Sequence, residues 1–166
     1  YEDPMSDNGE SLYAAQRLQD ELDTPLLLGE HVTSGPYTVS KYLEKGTTNL
    51  VRSGVARSGG ITGVMKTAAA AELFGADLEL VLGYPGNIHC MAAIRNTNYF
   101  EHGLLHPEVD HRPYNYSRHV YETDREVVDS DGNIPVPDEP GLGVDIDWDF
   151  VEANQTDHRV LSSSPG

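Results

Sequence analysis

The sequence is poor in positive charge and nearly empty of cysteine. Eleven lysines and arginines stand against 27 aspartates and glutamates, a formal net charge of −16. Only three of those eleven, Lys41, Lys45 and Lys66, are lysines. A surface this negative repels nucleic acid and anionic lipid, so neither is an expected partner. The acids are spread along the chain rather than gathered in a block, and 38% of residues are apolar, which argues for a folded domain over a disordered acidic tail. This balance suits a cytoplasmic protein working in high salt, where self-repulsion is screened. The single cysteine, Cys90, permits no intrachain disulfide, and its apolar surroundings suggest a buried, inert thiol. No apolar run is long enough to span a membrane, and no signal-peptide pattern opens the chain. No Gly-x-Gly-x-x-Gly turn follows a strand, since Gly83-Tyr84-Pro85-Gly86 has the wrong spacing, and dinucleotide binding is not expected. The chain opens on Tyr1-Glu2-Asp3-Pro4 rather than on methionine, which reads as the end of a strand in a piece of a longer protein.

What is present is an alternation of short apolar strands and helical stretches. Leu12, Ala15, Leu18 and Leu22 recur at helical spacing within Glu10 to Leu22. Pro25-Leu26-Leu27-Leu28-Gly29 reads as a buried strand, and Pro36 opens a helix over Tyr37 to Glu44 that Gly46 stops. Asn49 to Arg52 is the next strand, Ile61 to Phe74 the next helix, closed by Gly75, and Leu78 to Leu82 the strand after it. A helix over Asn87 to Arg95 and a last core strand, Tyr99-Phe100-Glu101, complete the series. Fully apolar strands alternating with helices indicate an α/β protein with a parallel sheet and outer helices. The unit length suits a (β/α) barrel, although a doubly wound open sheet gives the same pattern.

From about Leu104 the pattern changes. His106 to Pro140 is rich in Pro, Tyr, Asp and His. Asp131-Gly132-Asn133 is a hairpin-turn signal between Glu126-Val127-Val128 and Ile134-Pro135-Val136. A short helix is expected over about Asp147 to Ala153. The expected organisation is a partial barrel over 1–105, an excursion over 106–154 with the hairpin and short helix packing on the barrel or capping region, and a mobile tail over 155–166.

Functional groups of a parallel barrel gather at the C-terminal ends of its strands. That rule selects Glu2, Glu30 and His31, then Ser53, Gly54 and Arg57, then Leu82 to Tyr84, then Glu101. Glu2 and Glu30, on successive strand ends, suit a hard divalent cation such as Mg²⁺; two solvated surface acids are the plain alternative. Arg57 suits a bidentate clamp on a substrate carboxylate, with an ion pair to a neighbouring acid as the competing reading. Tyr84 is a candidate substrate contact, and His31 an acid or base, or else a structural histidine. His89 reads as a satisfied core histidine, and His106, His111 and His119 as surface residues or parts of a subunit contact. Asp145, Asp147 and Asp149 alternate as in a calcium loop, but the Gly and terminal Glu of such a loop are not in place, which leaves a solvated face.

Glu2-Asp3-Pro4, Gly29-Glu30, Gly59-Gly60-Ile61-Thr62, Cys90-Met91-Ala92-Ala93, Tyr99-Phe100-Glu101 and Pro140-Gly141-Leu142-Gly143, in that order, resemble the mandelate racemase and sugar-acid dehydratase branch of the enolase superfamily. The resemblance implies the C-terminal part, about strands four to eight, of an enolase-type barrel. It implies that Glu2 and Glu30 are two of three metal-ligand carboxylates, the third falling before Tyr1. It implies that Glu101 is the strand-eight glutamate that, protonated, donates to an enolate oxygen. The implied reaction is Mg²⁺-dependent dehydration of an aldonate-type sugar acid through α-proton abstraction and a metal-stabilised enediolate, by a homo-oligomer acting on a small molecule. Epimerisation, racemisation or cycloisomerisation is the alternative within the family, and a non-catalytic fragment or binding protein the alternative outside it. The family's His–Asp base pair would fall at Val81 and Gly54, and neither can transfer a proton. His31, in a Gly-Glu-His run similar to that of some sugar-acid dehydratases, is the remaining acid or base candidate. The segment alone is expected to be inactive.

Overall fold

The computed structural model describes residues 1–5, 11–32, 35–81, 84–101 and 128–159. The chain divides into two compact units, Tyr1–Pro113 and Tyr114–Gly166. The first holds α1 (Leu12–Glu21), β1 (Leu27–Leu28), α2 (Pro36–Glu44), β2 (Leu50–Ser53), α3 (Gly60–Leu73), β3 (Asp77–Leu80) and α4 (Pro85–Ala93). The second holds α5 (Trp148–Asn154).

The three strands form one parallel sheet in the order β1-β2-β3. Leu28 pairs with Val51, and Val51 with Leu78; Arg52 lies opposite Glu79. Tyr1 to Asp3 runs beside β1: Leu27 N donates to Tyr1 O at 3.0 Å, Asp3 N donates to Leu27 O at 3.2 Å, and Glu2 bridges Leu27 in parallel. Side chains alternate across the pleat. Val51, Leu78 and Leu80 are buried with Val39 and Leu43 of α2, Val64, Ala68 and Ala71 of α3, and Cys90 of α4. A second cluster joins Leu26 and Leu28 to Ala15 of α1 and Tyr42 of α2. Truncating a fully buried leucine here, such as Leu78, is worth about 2–5 kcal/mol. The alternate positions, Leu50, Arg52, Asp77 and Glu79, are half-buried and belong to the face away from that helical core. The expected α/β architecture, parallel strands with helices on one side, is therefore present.

Caps follow the local chemistry. The Ser11 hydroxyl accepts from Ala14 N at 3.3 Å at the start of α1, and prolines open α2 and α4. Asn87, buried in the first turn of α4, accepts from Val55 N at 3.0 Å through Oδ1 and donates to Val81 O at 2.7 Å through Nδ2. One amide thus joins the ends of β2 and β3.

The expected strand Tyr99-Phe100-Glu101 does not form. The segment follows the free edge of β3 by other means. Leu78 N donates to Asn96 O at 2.7 Å, Asn98 Nδ2 donates to Asp77 Oδ2 at 3.1 Å and Glu79 Oε1 at 2.7 Å, and Tyr99 N donates to Glu79 Oε2 at 3.3 Å. Carboxylates of β3 take the place of ladder carbonyls, and Tyr99 is left 82% exposed.

In the second unit the Asp131-Gly132-Asn133 turn is present. Asp129 Oδ1 accepts from Asp131 N at 2.9 Å and Asn133 N at 2.8 Å, and Gly132 takes φ 84°. The expected second hairpin arm, Ile134-Pro135-Val136, is not a strand, because Pro135 and Pro137 have no N–H for a ladder. Asp147 caps α5, its Oδ1 accepting from Phe150 N at 2.9 Å. Glu126 and Val127 of the first arm, His106, His111 and His119, Glu10, Leu82, and residues 160–166 lie outside the described residues.

Candidate functional site

The site lies in the first unit, where β1 ends. Gly29 turns the chain there with φ +116°, and a Cβ on it would stand 3.0 Å from Arg52 O. Only glycine combines that dihedral with so close an approach. The turn brings Glu30 over the end of the sheet, 15% exposed at its side chain. Glu2 arrives from the segment paired with β1, Arg52 from β2, and Glu101 from the segment stitched to β3.

Arg52 is the hub. Its guanidinium, 11% exposed, lies 3.1 Å from Glu2 Oε1 and 4.0 Å from Glu30 Oε2 through Nε, and donates through Nη2 to Glu101 Oε2. The Glu2 contact is ionic rather than a well-aligned hydrogen bond, because buried Nε has no hydrogen-bond partner despite its distance. Around this hub Asp3, Glu30, His31 and Arg57 form a second ring. Arg57 Nη1 lies 3.5 Å from Glu30 Oε1 and 3.0 Å from His31 Nδ1, and His31 Nε2 lies 3.4 Å from Asp3 Oδ2. A guanidinium only donates. The Nδ1 of His31 is therefore an acceptor in this contact, and the proton of the neutral ring sits on Nε2, facing Asp3.

The charges do not balance. Four carboxylates, Glu2, Asp3, Glu30 and Glu101, face two guanidiniums. Glu2 is pushed above the usual carboxylate range. Burial is the main cause, the charges of Asp3, Glu30 and Glu101 add to it, and Arg52 opposes it. Asp3 Oδ1 is buried without a hydrogen-bond partner. Surplus negative charge on hard oxygen donors at two strand ends fits a divalent cation held by Glu2 and Glu30. One atom each of Asp3, Glu30 and His31 also falls within a 4.8 Å group, an alternative ligand set that shares Glu30.

Among the described residues, the Gly54 and Val81 positions at the ends of β2 and β3 carry no ionisable group. A Cβ on Gly54 would stand 2.7 Å from Val81 Cγ1 and 3.6 Å from Asn87 Nδ2. Gly54 and Val81 therefore pack directly on one another. Tyr84 begins α4, half-buried, its carbonyl accepting from Asn87 N at 2.8 Å. His89 is half-buried on α4. Cys90 is buried, and burial pushes its thiol up, away from the reactive thiolate.

Of the residues selected from sequence, Glu2, Glu30, His31, Arg57 and Glu101 come together; Tyr84 belongs to the start of α4. Arg52 and the supporting Asp3 were not selected. The signal for Arg52 was a lone charge in a short strand flanked by two buried positions, Val51 and Ser53. Glu101, expected as a protonated donor, is an acceptor here, its partner being Arg52.

Residues 1–150 match the model of the enolase C-terminal domain-like family. The chain belongs to that family. A D-glucarate dehydratase from Agrobacterium tumefaciens, solved with magnesium, is 34% identical over 92% of this chain, with a TM-score of 0.79. A protein from Pseudovibrio sp. assigned to the mandelate racemase/muconate lactonizing enzymes is 28% identical over 94% of the chain, TM-score 0.77. An enolase from the alpha proteobacterium bal199, with magnesium bound, is 29% identical over 92%, TM-score 0.72. The chain spans 38%, 40% and 38% of the length of these three structures. Among the described residues no helix is long and apolar enough to cross a membrane.

Proposed function

We propose that this chain supplies the metal-binding side of an active site that dehydrates an aldonate-type sugar acid with Mg²⁺. The observation that carries the reading is the convergence of Glu2, Glu30 and Glu101, from three neighbouring segments, at the C-terminal end of a parallel sheet. The 34% identity to a magnesium-bound D-glucarate dehydratase supports the same class.

When bound, a divalent cation at Glu2 and Glu30 supplies positive charge against the substrate carboxylate, where charge builds as the α-proton leaves. The remaining work falls to the chain's own residues. Arg57, 46% exposed at its side chain, has the freedom to turn from Glu30 and His31 and clamp the substrate carboxylate with its planar fork. His31 then presents an open, unprotonated Nδ1 next to the substrate, and we assign it to take the α-proton and, as the imidazolium so formed, to give that proton to the departing β-hydroxyl, which leaves as water. Glu101 is placed for contact with the enolate oxygen, a role that requires exchange of its Arg52 partner. The packed Gly54–Val81 contact has no proton to give or take. That weighs against racemisation by opposed bases and leaves a reaction needing a base on one face. A small-molecule sugar acid and assembly as a homo-oligomer complete the proposal.

The test is an assay over a panel of aldonates and aldarates with Mg²⁺, following 2-keto-3-deoxy acid formation. Turnover is expected when the chain is carried in a protein that supplies the remaining barrel strands, and none from the segment alone, and Glu30→Gln is expected to abolish it. Equal turnover by Glu30→Gln would remove the metal assignment. Mg²⁺ binding without turnover on any sugar acid would favour the binding-protein reading.

A further inference from the structure

Arg52 is an unusual resident of a cation site. Its side chain is almost fully enclosed at a position on the central strand β2, where register sets it opposite Glu79 and the tight Gly29 turn closes over its carbonyl. It has no route to bulk water comparable to that of Arg57, which is 46% exposed. Its guanidinium touches Glu2 and Glu101 and stands 4.0 Å from Glu30. Glu2 and Glu30 are the carboxylates on which a divalent cation would draw. An arginine is always charged, so it offsets part of their negative charge and opposes any second cation beside them. Its Nε, buried without a hydrogen-bond partner, marks a contact held by charge rather than by a closed hydrogen-bond geometry.

We infer that Arg52 is a built-in counter-ion of the carboxylate cluster: it holds Glu2, Glu30 and Glu101 together when no metal is bound, and it sets the Mg²⁺ affinity of the site lower than those carboxylates alone would give. The inference rests on the reading of Glu2 and Glu30 as metal ligands. Arg52 is a positioning residue, acting on the cation through the ligands. Without it the carboxylates repel one another in the metal-free protein, and that repulsion is relieved by Mg²⁺ itself. A purely structural arginine would lower stability to the same extent with and without Mg²⁺. A counter-ion couples the two.

The experiment is a calorimetric Mg²⁺ titration, with melts in EDTA and in saturating Mg²⁺, on the wild-type protein, Arg52→Met, Arg52→Lys and Glu30→Gln. Arg52→Met is expected to melt lower in EDTA, to bind Mg²⁺ roughly tenfold more tightly as a neighbouring positive charge is lost, and to gain more melting temperature from Mg²⁺ than wild type. Arg52→Lys keeps the charge and is expected to stay within about threefold of the wild-type affinity. A measurement on the wild-type protein does not depend on the folding of any variant: the Arg52 Nε–H NMR signal is expected to shift on Mg²⁺ addition and to saturate with the calorimetric Kd. Unchanged or weaker affinity in Arg52→Met, or an Arg52 signal blind to Mg²⁺, overturns the inference. If Glu30→Gln still loses Mg²⁺ in that case, the metal reading stands alone. If wild type and Arg52→Met both fail to bind Mg²⁺, the metal reading falls, and this inference with it.

Discussion

The end of β1 and the ends of β2 and β3 lie on one sheet, yet they present opposite chemistry. Where β1 ends, Gly29 turns the chain so that Glu30 and His31 join Glu2, Asp3, Arg52, Arg57 and Glu101 in a dense set of charges. Where β2 and β3 end, Gly54 and Val81 meet carbon to backbone, and the Asn87 amide seals the gap. The difference shows how a parallel sheet divides labour along its rim. One side accepts the cost of concentrated like charge, which a cation can offset. At Gly54 and Val81 the rim is instead closed by packing and by the hydrogen bonds of Asn87.

The largest effect expected from disturbing that contrast is at Asn87. Asn87→Ala strands Val55 N–H and Val81 C=O without partners and should cost roughly 3 kcal/mol, seen as a lower denaturant midpoint. Mg²⁺ affinity should be retained. If metal binding falls in step with stability, the Asn87 contact and the charged cluster are not independent.

Gly54→Ala should do less. Its Cβ would meet Val81 Cγ1 at 2.7 Å, an overpacking worth about 1–3 kcal/mol. Adding Val81→Ala should recover part of the loss, because the two changes share one contact. Strict additivity in denaturant melts would mean that Gly54 is not held small by Val81.

The smallest effect is at Glu2, and its sign depends on metal. A carboxyl whose pKa is raised on folding favours the fold below its unfolded value, near 4.5, and loses that contribution as pH rises through the raised value. Above that raised value the ionised Glu2 is thus a liability in the metal-free protein. Glu2→Gln should melt slightly higher than wild type in EDTA at pH 7, the difference closing as pH falls below about 4.5. In saturating Mg²⁺ the order should reverse, because a ligand is gone. The same order in both conditions would separate Glu2 from the metal.

Much of this was legible before any coordinates. The helices fall within about two residues of the expected bounds because their apolar spacing is helical and glycines or prolines mark their ends. β1 came out shorter than Pro25 to Gly29, since Pro25 offers no donor and Gly29 already turns. Tyr99 to Glu101 misled because two aromatics suggest a strand, whereas Asn98 and the acids of β3 fix the segment through side chains. Glu2, Glu30 and Glu101 were visible through strand-end placement and motif order. Arg52 was not, because the strand was judged by its apolar neighbours rather than by which face each residue would take. Asn87 was hidden for a related reason: a polar residue in a helical first turn gives no sign of the two strand ends it joins.

Crystals grown with Mn²⁺ in place of Mg²⁺, read by anomalous scattering, test the central claim most directly. The account predicts one peak bridging the Glu2 and Glu30 carboxylates, with no density beside Gly54 and Val81. A peak held instead by Asp3, Glu30 and His31, or no peak at the end of β1, would contradict it.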